Sequence, residues 1–176
     1  MAETPFDVFE EQELGDLSGV KQERILIPPT NNVRVKVNQA TVATSKNKDY
    51  RQINVSFRLT EGLGEKGQFK NSVIFERMCY WANPEVYEAE SKPEKSRRFF
   101  KNKQHLVLFT QLLDACGVDK TQVKFGDALL TEMAGKEMLV DIGQKPNKFT
   151  AKDGTEVDEM QNVVRRIRSL PTESQV

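Results

Sequence analysis

Two separated stretches each gather several cations around one aromatic ring. The first carries Lys46, Lys48, Tyr50 and Arg51, and the second Lys145, Lys148, Phe149 and Lys152. Cations can neutralise phosphates and ring faces can stack on bases, the pairing of chemistries that single-stranded nucleic acid requires. A large ring amid polar loop residues has little core to join, so Tyr50 and Phe149 read as surface rings. Lysines in polar loops are ordinarily just solvated, so the signal lies in the coincidence of the two stretches.

Further candidates surround them. Arg58 lies on the polar face of an alternating strand, and the next strand brings Phe75, Arg77, Tyr80 and Trp81. Phe75 reads more readily as core than as a stacking platform, whereas Trp81 sits where its strand runs into a polar stretch. Arg97 and Arg98 belong to a basic cluster that also includes Lys92, Lys95, Lys101 and Lys103. Near the C-terminus, alternation would send Arg166 and Arg168 to one face as a basic stripe.

Enzyme chemistry finds little footing. One histidine, His105, leaves no material for a catalytic triad or a His-rich metal site. Gly62, Gly64 and Gly67 lack the strand–loop–Gly-Lys-Ser/Thr order by which backbone amides converge on a phosphate. Carboxylates are plentiful, but none forms an evident acid–base pair. The expectation is a binding protein without catalytic residues, metal or cofactor.

The overall charge conceals an asymmetry. There are 26 acidic and 26 basic residues, yet residues 1–16 hold six acids (Glu3, Asp7, Glu10, Glu11, Glu13, Asp16) and no Lys or Arg. The remaining 160 residues thus carry 20 acids against 26 bases, a net of +6. An acidic arm on a basic body is compatible with a polyanionic partner. Such an arm can occupy a cationic groove, recruit other proteins through Phe6, Val8 and Phe9, or serve as a passive solubility tail. Cys79 and Cys116 read as buried thiols in a reducing compartment. With no apolar run of membrane-spanning length and no signal-like N-terminus, the expected location is cytoplasmic.

Positioning these residues requires a scaffold, and periodicity supplies one. Residues 1–24 read as an acidic arm without fixed structure, ended by Pro28-Pro29. Val33–Val37 alternates as a strand that continues through Val42, with a bulge near Asn38-Gln39. Ser45–Asp49 is a polar loop. Ile53, Val55, Phe57 and Leu59 make the cleanest period-two face of the chain. Asn71–Trp81 is a third strand with apolar residues on both faces, and 83–96 a long polar loop. The period then becomes helical from Arg97 to Ala115, with Leu106, Phe109, Leu113 and Cys116 as the apolar stripe and Gly117 as the stop. A short helix spans Asp127–Met133, a fourth strand Gly135–Ile142, a loop 144–155 and a fifth strand Met160–Leu170, with 171–176 as a tail.

Three strands, a helix and two strands is the layout of the OB-fold, a five-stranded Greek-key barrel with a helix between strands three and four. An open antiparallel sheet with the helix packed on one face is the competing layout. In an OB barrel the face of strands two and three and its flanking loops bind the ligand, which would make residues 46–51 and 145–152 the lips of one cleft.

The succession Val55-Ser-Phe-Arg-Leu-Thr-Glu-Gly62 and Val73-Ile-Phe-Glu-Arg-Met78 is similar to a group of small phage-encoded proteins. So are Leu112-Leu-Asp-Ala-Cys-Gly117 and Met133-Ala-Gly-Lys-Glu-Met-Leu-Val140. The resemblance covers roughly residues 25–170. It implies an OB-type single-stranded DNA-binding protein that coats exposed strands in phage-type DNA replication or recombination, in the host cytoplasm. It also implies partners among replication or recombination proteins. The chain departs from the pattern in its long loop at 83–96 and in carrying its acidic arm at the N-terminus. RNA binding and a protein-interaction or structural module on the same barrel are the alternatives.

Overall fold

A computed structural model of the chain describes residues 25–44, 50–81, 103–123 and 126–172. The acidic arm, the polar loop 45–49 and the long loop 83–96 lie outside the described residues. The protein is mainly β: among the described residues five antiparallel strands form one sheet, accompanied by two α-helices.

Strand β1 (Thr30–Thr44) is the spine, pairing with β2 (Tyr50–Leu59) on one side and with β4 (Glu137–Thr150) on the other. Its register with β2 slips between Val37 and Gln39, the bulge expected near Asn38. Ile53, Val55, Phe57 and Leu59 are buried, as their alternation requires. The β2–β3 connection turns where Gly62 packs against backbone: a Cβ there would lie 2.1 Å from the Gly67 carbonyl oxygen.

Strand β3 (Val73–Trp81) departs from the two-sided apolar reading. Ile74, Glu76 and Met78 point inward, so a carboxylate shares the buried face while Phe75 and Arg77 point out. The expectation that Phe75 joins the core is overturned, since the ring is 76% exposed. Period-two geometry, with Ile74 and Met78 anchored in the core, outweighs the hydrophobicity of one residue.

Helix α1 (Lys103–Ala115) buries Leu108, Phe109, Leu112 and Leu113, a wider stripe than expected. Cys116 is also buried, and Leu106 only partly so. Gly117 stops the helix at φ +73°, with Val118 N–H donating to Leu113 O and Gly117 N–H to Asp114 O, both at 3.0 Å. These are the two bonds of a Schellman cap. Helix α2 (Asp127–Met133) forms as expected, packs on β1 and buries Leu129, Leu130 and Met133. No helix among the described residues is long and apolar enough to cross a membrane.

Strands β4 and β5 (Glu156–Arg168) overturn the expected loop at 144–155. Pairing runs unbroken from Gln144–Asn162 to Thr150–Glu156, and only the Ala151–Thr155 turn is left between them. Beyond Ile142, β1 no longer pairs with β4, so this part of the hairpin leaves the sheet with an open edge that tolerates Pro146. With little core beneath it, the ribbon shows no apolar alternation to read.

The sheet order is β3-β2-β1-β4-β5, which makes β3 and β5 its edges. The two edges run in the same direction and approach one another, with α1 packed against both. They are joined by a side chain: the buried Glu76 Oε2 accepts a hydrogen bond from Val164 N–H at 2.9 Å. Just below, the segment before β1 crosses β5. Ile27 is buried there, its N–H bonded to Asn162 Oδ1 (2.9 Å) and its carbonyl to Asn162 Nδ2 (2.7 Å) and Gln144 Nε2 (2.9 Å).

Candidate nucleic-acid interface

Antiparallel pairing sets the outer face of β2 and β3. Ser56 lies opposite Phe75, Asn54 opposite Arg77 and Arg58 opposite Val73. One surface therefore carries the exposed ring of Phe75 between the guanidinium-bearing positions 58 and 77. Arg58 is steadied by Asn38, whose Oδ1 accepts from Nε at 3.2 Å.

The approach of β5 to β3 converts this face into one wall of an open groove of about 840 Å³. Asn54, Phe75 and Arg77 line that wall. Lys145, Asn147, Lys148 and Gln161, from the root of the β4–β5 hairpin, line the other. Glu76 and Val163 lie at its base, and His105 of α1 closes one end. Three full positive charges, Arg77, Lys145 and Lys148, therefore face one trough beside a solvent-facing ring.

Two further ionisable groups, Glu76 and His105, line the groove. Burial pushes the Glu76 carboxyl above the usual carboxylate range, only partly offset by the Val164 N–H and by Lys145. Burial, and then the charge of Lys145, lower the pKa of His105, so the imidazole is neutral at physiological pH. Lys148 meets Asp158 at 3.4 Å with both side chains mostly exposed, a pairing of little strength that a phosphate can replace.

The remaining candidates are dispersed. Tyr50 and Arg51 pair with Trp81 and Tyr80 at the far end of the β2–β3 ladder. Phe149 is exposed near the tip of the hairpin, opposite Val157, and Lys152 lies in the turn itself. Arg166 is exposed on β5, whereas Arg168 forms an ion pair with Asp141 and donates to Asn32 Oδ1 at 2.6 Å. Arg166 and Arg168 do share a face, with Ile167 buried between them, but the pairing of Arg168 with Asp141 interrupts the basic stripe. The register shift between Asp141 and Ile142 leaves Arg165 and Arg166 both exposed, while Arg168 is occupied within the sheet. Lys46, Lys48, Arg97 and Arg98 lie outside the described residues.

Of the two stretches expected to form facing lips, residues 45–49 of the first lie outside the described residues, while the second brings Lys145 and Lys148 to the groove. What meets Phe75 and Arg77 is the root of the hairpin, not its tip. Asn54, Glu76, Asn147 and Gln161 were not among the candidates. Strict alternation through Ile74, Glu76 and Met78 is the signal that would have placed Glu76 inside and Phe75 outside. The groove itself depends on the approach of β3 to β5, which no local pattern encodes.

Among the described residues no group of three or more His, Cys, Asp or Glu side chains is arranged to hold a metal ion. A scan against protein-family models found no match to this chain, and a search of curated proteins found none either.

Proposed function

We propose that this chain is a single-stranded nucleic-acid-binding protein on an OB-type barrel, acting on DNA strands exposed in phage-type replication or recombination. The observation that carries the reading is one juxtaposition: the exposed ring of Phe75 facing a trough lined by Arg77, Lys145 and Lys148. The strand order and the approach of β3 to β5 are those expected of a barrel closed between its third and fifth strands. In such a barrel the ligand crosses the face of strands two and three.

The mechanism divides the work between two kinds of group. Phe75 offers a face on which a base stacks, and every base has such a face, so recognition tolerates sequence. Arg77, Lys145 and Lys148 take phosphates, with Arg58 positioned to extend the track. The amides of Asn54, Asn147 and Gln161 supply donors and acceptors to base edges or sugars. Neutralising three phosphates on a single strand gives a slope of log K against log salt of about −2.

Fluorescence anisotropy with labelled oligo-dT, duplex DNA and oligo-U tests the reading. Preference for the unpaired strands, with affinity falling about a hundredfold over a tenfold rise in salt, is the expected outcome. No binding at low salt, or binding indifferent to salt, overturns it.

One observation favours a second reading, a protein-interaction module. On its other side Phe75 borders Ile25, Val73 and Met160, in a depression with no Lys or Arg among the described residues that line it. Pull-down with and without nuclease treatment separates the two, because a protein partner held through this stretch survives nuclease.

A further inference from the structure

Strand β5 carries one residue more than its partner. Ile142 pairs with Val164 and Asp141 with Arg166, so Arg165 is the extra residue of a β-bulge, a device that re-aims a side chain. That side chain lies back over Gly143 of β4. A Cβ on Gly143 would come within 2.5 Å of Arg165 Nε and 2.9 Å of its Cγ. Arg165 Nη2 donates to Gln144 O at 3.0 Å. The bare glycine and the carbonyl together hold the guanidinium against β4, at the root of the stretch that carries Lys145 and Lys148.

This placement lines a second trough. It measures about 260 Å³ and runs between α1 and β5, with Gln104 and His105 on the helix side and Lys145, Val163 and Arg165 on the hairpin side. Glu76, His105, Lys145 and Val163 line this trough and the larger groove alike, so one opens into the other. Burial raises the pKa of Glu76, and Val164 N–H, Lys145 and Arg165 pull against it, which sets both cations around one boundary carboxyl. Among the described residues neither Lys145 nor Arg165 forms an ion pair, whereas Arg168 is held by Asp141. The cationic track therefore continues from Arg77 through Lys145 to Arg165.

We infer that Arg165 forms a further phosphate subsite, where a strand that has passed Phe75 and Lys145 continues along α1, and that Gly143 is its positioning residue. This inference rests on the nucleic-acid reading of the adjoining groove. A guanidinium has five N–H donors, and the bond to Gln144 O leaves others for a phosphate oxygen. Neutralising a fourth phosphate steepens the slope of log K against log salt from about −2 to about −3.

Anisotropy titrations of oligo-dT over a salt series test it on full-length chains, with melting followed in parallel so that folded chains are compared. R165Q is expected to weaken binding about fivefold at low salt and to return the slope to about −2. R166Q removes the same charge at an exposed neighbour that lines neither trough, and should keep the parent's slope. Gly143 lies outside the left-handed region, so what G143A perturbs is the seat of Arg165. G143A should reproduce the loss seen in R165Q, and R165Q/G143A should lose no more than R165Q alone. Additive losses in the double variant overturn the role of Gly143. Equal losses in R165Q and R166Q assign the effect to net charge and overturn the subsite. An unchanged slope in R165Q, with the parent binding, overturns the subsite and leaves the nucleic-acid reading standing. No oligo-dT binding by the parent at low salt overturns that reading and the subsite with it.

Discussion

Replacing Phe75 with alanine separates a binding surface from a structural one. The ring is 76% exposed, so roughly a quarter of it touches the protein. For an aromatic side chain of about 200 Å² that is about 50 Å². At about 25 cal/mol per Å² the loss of folding stability is about 1 kcal/mol, an upper bound because the unfolded chain already shelters some apolar surface. Stacking of one base on such a ring contributes about 1–3 kcal/mol. Phe75→Ala should therefore weaken oligo-dT binding by about 5-fold to 150-fold while urea unfolding changes by no more than about 1 kcal/mol. Phe75→Trp should restore binding. Phe57→Ala, at a fully buried ring on β2, is the contrasting control and should cost about 3–5 kcal/mol of stability. A Phe75→Ala protein that loses about 3 kcal/mol or more of stability, or binds oligo-dT unchanged, refutes the assignment of this ring as the stacking platform.

Two further predictions concern Glu76 and Asp141. Burial raises the pKa of Glu76, so over the window between its ordinary and raised values the folded chain holds more protons than the unfolded one, and stability falls as pH climbs. Glu76→Gln keeps an acceptor for Val164 N–H without the charge. Its melting temperature should equal or exceed that of the parent at pH about 7, with the difference closing below pH about 4. Glu76→Ala leaves that N–H unpaired and should cost about 1–3 kcal/mol. Asp141 has the opposite sign: hydrogen bonding to Arg168 first, and to Asn32 N–H, holds its carboxyl below the usual range. Its stabilisation is present above pH about 4 and is lost as pH falls through the depressed value. Asp141→Asn should thus cost about 1–3 kcal/mol in urea unfolding at neutral pH and approach the parent in acid.

The parts of this fold with a core on one face were legible in the residues. Ile53, Val55, Phe57 and Leu59 declared β2, the slip at Asn38 declared the bulge, and Gly117 declared the end of α1. Asp127–Met133 was legible to the residue. The hairpin from Gln144 to Asn162 was not, because a ribbon solvated on both faces has no hydrophobic period and Pro146 resembles a breaker. The groove was legible only in its ingredients. Arg77, Lys145 and Lys148 could be nominated from their surroundings, but their meeting is set by the approach of two strands about ninety positions apart in the chain. Phe149 is exposed, as a ring amid polar residues suggests, but it lies near the hairpin tip and is not among the residues lining the groove.

The absence of a backbone ladder between β3 and β5 among the described residues has a mechanical consequence. Phe75 and Arg77 ride on one side of that seam, Lys145 and Lys148 on the other, and Glu76 with Val164 N–H is the hydrogen bond that spans it. Among the described residues the spacing between ring and lysines is therefore set by the Glu76 latch and the packing of α1 on both edges rather than by a row of amide contacts. On the proposed nucleic-acid reading, a seam without a backbone ladder lets the groove take purines and pyrimidines alike without unzipping any strand.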